Sequence, residues 1–137
     1  MKKAHLIFIL FLISFYSYSQ ENKAIQKLGA EVQKCLDTGN NMLNCTIEYY
    51  TKIDEQLNIT YNKIRASLSK PEQENLKNKQ LAWLKKRDQY FKKVKAETAK
   101  ELDGENQSQD YRMICSHKNA LFVRDRVSEL EKTYSKN

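Results

Sequence analysis

The sequence predicts an all-α protein, a small helical bundle with two long antiparallel helices, a shorter N-terminal helix and a C-terminal helix. Three observations carry this. The 137 residues include only 3 Gly and 1 Pro, too few turn-forming residues for an all-β chain of this length. Apolar residues recur at steps of three and four rather than two. The breaks between these stripes are short, and short connections between long helices favour antiparallel neighbours.

The elements follow in order. Met1-Lys2-Lys3, the apolar run from Ala4 to Phe15, and the small residues Ser17 and Ser19 have the layout of a secretory signal peptide over residues 1–19, cut near Ser19. The run falls short of the roughly 20 apolar residues that span a bilayer, which argues against a retained anchor. Residues 20–137 are then one helical domain, exported to the periplasm or secreted. Ile25, Leu28, Val32 and Leu36 mark a first short helix ending near Gly39. Met42, Cys45, Tyr49, Ile53, Leu57, Tyr61, Ile64 and Leu68 form one continuous stripe for the second. Pro71 and Glu72 suit the first turn of a third helix, where a missing N–H costs nothing and a carboxylate meets the positive end of the helix. That helix carries Leu76, Gln80, Trp83, Leu84, Arg87, Phe91 and Val94 and stops at Asp103-Gly104. Tyr111, Ile114, Cys115, Leu121, Arg124, Val127 and Leu130 outline the fourth.

Charge and cysteine content narrow the function classes. The formal net charge is +7, and without Lys2 and Lys3 the rest of the chain carries 22 Lys and Arg against 17 acids, or +5. Lys77, Lys79, Lys85, Lys86, Lys92, Lys93, Lys95 and Lys100 crowd the third helix and make a positive strip. Such a strip suits an anionic cell-wall polymer or membrane surface, while export argues against nucleic acid. Cys35, Cys45 and Cys115 are odd in number, so at least one thiol is unpaired or pairs between chains. A Cys35–Cys45 bridge would close a short loop and stabilise by roughly 2–3 kcal/mol; pairings through Cys115 remain open at this point. No CxxC spacing occurs and His117 is the sole His after the leader, so no metal or cofactor is expected. Nucleophile elbows, phosphate-binding loops and HExxH are absent from the sequence, and the reading is non-catalytic.

Polar residues on apolar stripes call for partners. Gln80, Trp83, Leu84, Arg87 and Phe91 share one helix face, Arg124 lies among Leu121, Val127 and Leu130, and Asp54 adjoins Ile53 and Leu57. A buried arginine must be paired, so Asp54 is expected to bridge to Arg87 or Arg124 across helices; the alternative is that these side chains extend to solvent.

Taken together, Cys35 and Cys45, Tyr50-x-x-x-Asp54-x-x-Leu57-Asn58-x-x-Tyr61, Leu76-x-x-x-Gln80-x-x-Trp83-x-x-x-Arg87-Asp88, and Cys115 followed by Arg124 and Leu130 resemble the LprI-type lysozyme-inhibitor domain. The resemblance covers roughly Glu31 to Leu130. It implies a small exported helical protein that inhibits lysozyme by occlusion, with Asp54, Leu57, Asn58, Tyr61, Gln80, Trp83, Arg87, Asp88 and Arg124 as structural or binding residues. The family usually carries a Cys three residues after the Arg-Asp pair, a position occupied here by Phe91. That departure implies a Cys35–Cys45 disulfide and leaves Cys115 without its expected partner, as a buried apolar thiol or, alternatively, one that pairs between chains. Many lysozymes are basic, so like charge would oppose docking through the lysine strip. A lysozyme contact is therefore expected on the acidic-leaning N-terminal half and the Cys35–Cys45 loop. The partner is then a lysozyme or another envelope protein; the alternative is an envelope protein that binds anionic polymer or membrane through the lysine-rich face.

Overall fold

The computed structural model describes residues 22–134, and the predicted signal peptide lies outside the described residues. Four helices follow one another: α1 (Lys23–Asp37), α2 (Met42–Ser67), α3 (Lys70–Glu101) and α4 (Gln109–Tyr134). The described residues contain no strand, and the fold class is the one the spacing predicts.

Each boundary has a local cause. The side-chain carbonyl of Asn22 accepts the Ala24 N–H at 2.8 Å and caps α1, satisfying a donor that has no partner within the helix. At the far end, Gly39 (φ +67°) and Asn41 (φ +56°) take the left-handed conformation that reverses the chain, one that Gly and Asn adopt at least cost. Between α2 and α3, the Glu72 carboxylate accepts the Ser69 N–H at 2.8 Å and closes a capping box. These hydrogen bonds hold the Glu72 carboxyl below its ordinary range, the Ser69 hydroxyl contributing most. Asp103 and Gly104 end α3 with positive φ, and the Gly104 N–H reaches the Ala99 carbonyl at 2.8 Å.

Successive hairpins make α2 antiparallel to α3, and α3 antiparallel to α4, so α2 and α4 run parallel. The principal packing is between α2 and α4, with α1 laid on α2 and α3 on α4. The core is built from Ile25 and Val32 of α1, Ile53 and Leu57 of α2, Leu76 and Trp83 of α3, and Val123 and Val127 of α4. At its N-terminus α1 also reaches α4, where the Asn22 amide donates to the Glu131 carboxylate. As the helix between α2 and α3, α4 has apolar residues on more than one face and no single stripe as regular as that of α2.

Cys35 and Cys45 form a disulfide joining the end of α1 to the first turn of α2, with their Cα atoms 5.8 Å apart. Cys115 is a free thiol and is buried. Replacing both bridged cysteines by Ser is expected to lower stability by about 2–3 kcal/mol, chiefly by releasing the unfolded chain. Urea unfolding of the variant measures the loss, and an unchanged midpoint would contradict it.

Candidate functional site

The motif residues of α3 meet α4 in an aromatic and arginine seam. Trp83 and Tyr90 lie two turns apart on α3, and Phe122 of α4 inserts between them. Its ring is 5.8 Å from Trp83 and 4.2 Å from Tyr90, at interplanar angles of 19° and 15°. The Arg126 guanidinium covers Trp83 at 5.6 Å and Arg87 approaches it at 5.9 Å, both within cation–π range. Arg87 also lies 5.7 Å from Phe91, which meets Tyr50 of α2 edge-on at 6.0 Å.

Gln80 completes the seam. Its side-chain oxygen accepts from Arg126 Nε at 3.1 Å and from a terminal guanidinium nitrogen at 3.0 Å. Another terminal nitrogen of Arg126 pairs with Glu129 at 2.9 Å. Only 6% of Arg126 is exposed, so this set of partners is what permits its burial.

The expected Asp54 bridge is not formed. Arg87 pairs with its neighbour Asp88 at 2.8 Å and Arg124 with Asp125 at 2.8 Å. Both arginines lie at the flank of their helices, where the guanidinium reaches an adjacent carboxylate at the surface without crossing the core. The arginine that does face the core is Arg126, which with Phe122 lies off the stripe through Leu121 and Arg124. A signal for it existed: Ala120, Val123, Val127 and Leu130 are all buried and spaced at three and four, and Arg126 borders that stripe. Leu121 and Arg124 are half-buried on the flank of that stripe.

The α2 motif residues divide between packing and surface. Leu57 is buried in the core and Tyr61 packs against it half-buried. Asn58 is exposed, and its amide donates to the Asp54 carbonyl at 3.1 Å. Burial holds the Tyr50 phenol above its ordinary pKa, and the Asp54 carboxylate one turn on raises it further, against a smaller lowering by Arg87.

The remaining feature is the end of the bundle formed by the α1–α2 turn. Thr38 braces the turn: its hydroxyl donates to the Cys35 carbonyl at 2.7 Å and accepts the Asn40 N–H at 3.3 Å. With the disulfide behind it, residues 38–41 make a braced, exposed and uncharged tip. Tyr49 and His117, each about two turns into its helix, bring their rings to 6.2 Å, so the parallel helices α2 and α4 start level. The α3–α4 loop therefore lies at the same end as the tip. Asp37, Asp103, Glu105 and Asp110 lie toward this end and form no ion pair among the described residues, with Lys34, Lys100 and Arg112 on the same helix ends. Deeper on α1 and α2, Glu31 and Glu48 are paired, since Lys52 reaches them at 3.5 Å and 3.1 Å.

Behind the tip, burial and then the Arg124 charge depress the His117 pKa. The unfolded chain takes up that proton at higher pH than the folded protein does. Its contribution to stability is therefore complete above the ordinary histidine pKa of about 6.5 and is lost as pH falls toward the depressed value. Urea midpoints measured at pH 7.5 and below 6 are expected to fall on acidification, and His117→Gln is expected to flatten that dependence; identical pH profiles would contradict the assignment.

Among the described residues no group of three His, Cys, Asp or Glu side chains could hold a metal ion, and no helix is long and apolar enough to cross a membrane. The geometry is that of a disulfide-braced helical bundle, with a fixed turn at one end and a seam that locks α3 onto α4. The lysozyme inhibitor LprI family model matches residues 30–130, most of the chain. The protein belongs to the LprI lysozyme-inhibitor family. No curated protein and no solved structure matches it.

Proposed function

We propose that the protein is an exported, non-catalytic inhibitor of a lysozyme that acts by occlusion, with the tip at residues 38–41 as the inserting element. Family membership supports the activity. The observation that carries the mode of action is the braced turn itself, held by the Cys35–Cys45 bridge and the Thr38 hydrogen bonds. A preorganised loop loses little conformational entropy on entering a cleft, and this is how rigid inhibitors gain affinity. The disulfide also accords with export, since such bonds persist in oxidising compartments.

Charge favours this end over the side of the bundle. A basic lysozyme would be drawn to Asp37, Asp103, Glu105 and Asp110 and repelled by the lysines of α3. In this reading the seam residues Gln80, Trp83, Arg87 and Arg126 are structural and hold the bundle that presents the tip. The test is inhibition of cell-wall lysis by several lysozymes, comparing the mature protein with Asn40→Arg. Asn40 is exposed at the apex of the turn, so the substitution alters the contact surface without a packing penalty. At the centre of an interface it is expected to weaken inhibition about tenfold or more.

A further inference from the structure

The lysine strip of α3 contains an ordered row. Lys79, Lys86, Lys93 and Lys100 recur at seven-residue steps, and all four are exposed. A seven-residue step drifts only about 20° around a helix and advances about 10.5 Å along it. The four ammonium groups therefore follow one edge of α3 for about 32 Å, as a line rather than a patch. Lys79, Lys86 and Lys100 form no ion pair among the described residues, and Lys93 meets only the exposed Glu97, at 3.7 Å.

We propose that this row is a docking track for a linear anionic polysaccharide that carries one acidic group per disaccharide. The 10.5 Å step is close to the length of two linked hexose rings, so successive acids on one side of such a chain would meet successive lysines. Lysine suits this role because it offers a mobile point charge that tolerates small errors of register. A membrane fits less well. A helix lying in a lipid interface needs an apolar face beside its basic one, whereas Leu76, Trp83 and Val94 of α3 are buried and Leu81 is its one exposed large apolar residue among the described residues. A nucleic acid strand also fits less well, because it needs aromatic platforms for its bases and Tyr90, the aromatic beside the row, is stacked on Phe122. The track runs along the side of the bundle and the tip lies at its end, so glycan binding stands or falls independently of lysozyme inhibition.

The experiment measures binding of the mature protein to hyaluronan oligosaccharides, which carry one carboxylate per disaccharide. Comparison arms use neutral dextran and phosphatidylglycerol vesicles. Binding is expected to hyaluronan and not to dextran, and to weaken about tenfold or more between about 0.05 and 0.5 M salt as the charges are screened. Changing Lys79, Lys86, Lys93 and Lys100 together to Gln should abolish it. The same change at Lys23, Lys34, Lys63 and Lys132, also exposed, should leave most of it, because net charge falls equally while the row survives. Equal loss in both quadruple variants, tighter binding to the vesicles than to hyaluronan, or no binding by the unaltered protein would each overturn the proposal. Circular dichroism of both variants shows that the helices persist, and neither is expected to lose lysozyme inhibition, since removing lysines only relieves like-charge repulsion toward a basic lysozyme.

Discussion

Replacing Trp83 by Ala is expected to lower stability by about 3–5 kcal/mol, the range for removing a large aromatic from a packed interior. Trp83 is 8% exposed and its indole serves three partners at once. Phe122 stacks on it from α4, Arg126 covers it, and Arg87 lies within reach. Truncation leaves Phe122 stacked on Tyr90 alone and withdraws the surface on which the buried guanidinium rests. Small domains are stable by only about 5–15 kcal/mol, so this one change removes a large share. Because α3 packs chiefly on α4, the loss should appear first as easier opening of α3. Hydrogen exchange of the α3 amides, together with urea unfolding, measures it. A loss below about 1 kcal/mol would show that the seam is not what secures α3.

Arg126 makes a sharper prediction because two substitutions separate packing from charge. Arg126→Ala is expected to cost about 2–3 kcal/mol, removing a buried stem, two hydrogen bonds to Gln80 and a cation–π contact. Arg126→Met keeps most of the stem and places an apolar side chain against Trp83. Its cost is expected to stay within about 1 kcal/mol, since buried ionic groups replaced by apolar residues of similar volume often lose little. The groups left behind permit this: Gln80 is only half-buried and the Glu129 side chain is 61% exposed, so both can turn to water. Thermal and urea denaturation of the pair decide the matter. If Met proves as damaging as Ala, the guanidinium's hydrogen bonds outweigh its packing and the seam is primarily a polar lock.

The parts of the molecule legible in sequence were those set by local chemistry. The stripe from Met42 to Leu68 predicts α2 to within a residue of its observed ends, and Pro71 with Glu72 marks the start of α3. The Cys35–Cys45 bridge follows from a family pattern in which Phe91 stands where a cysteine is usual, and the structure holds that bridge with Cys115 buried and free. What could not be read was which face of α4 meets which neighbour. A helix packed on two sides has no single apolar stripe, and Leu121 and Arg124 lie on its flank beside the true core line through Val123 and Val127. The Asp54 bridge failed for the same reason. Sequence shows that an arginine lies near an apolar face, but an adjacent aspartate, as at Arg87-Asp88 and Arg124-Asp125, can satisfy it without a partner across the bundle. The acidic end was legible only in part, because Asp103, Glu105 and Asp110 join Asp37 through the level starts of α2 and α4 and not through proximity in the chain.

The central claim is that the braced turn at residues 38–41 blocks a lysozyme. A turbidity assay of cell-wall lysis tests it most directly, with a panel of lysozymes and three proteins: the unaltered mature chain, Asn40→Arg, and the four-lysine Gln variant of α3. Dose-dependent inhibition of at least one lysozyme is predicted, weakened about tenfold or more by Asn40→Arg and not weakened by loss of the lysine row. Inhibition that survives Asn40→Arg but disappears with the lysines, or no inhibition of any lysozyme in the panel, would contradict the account.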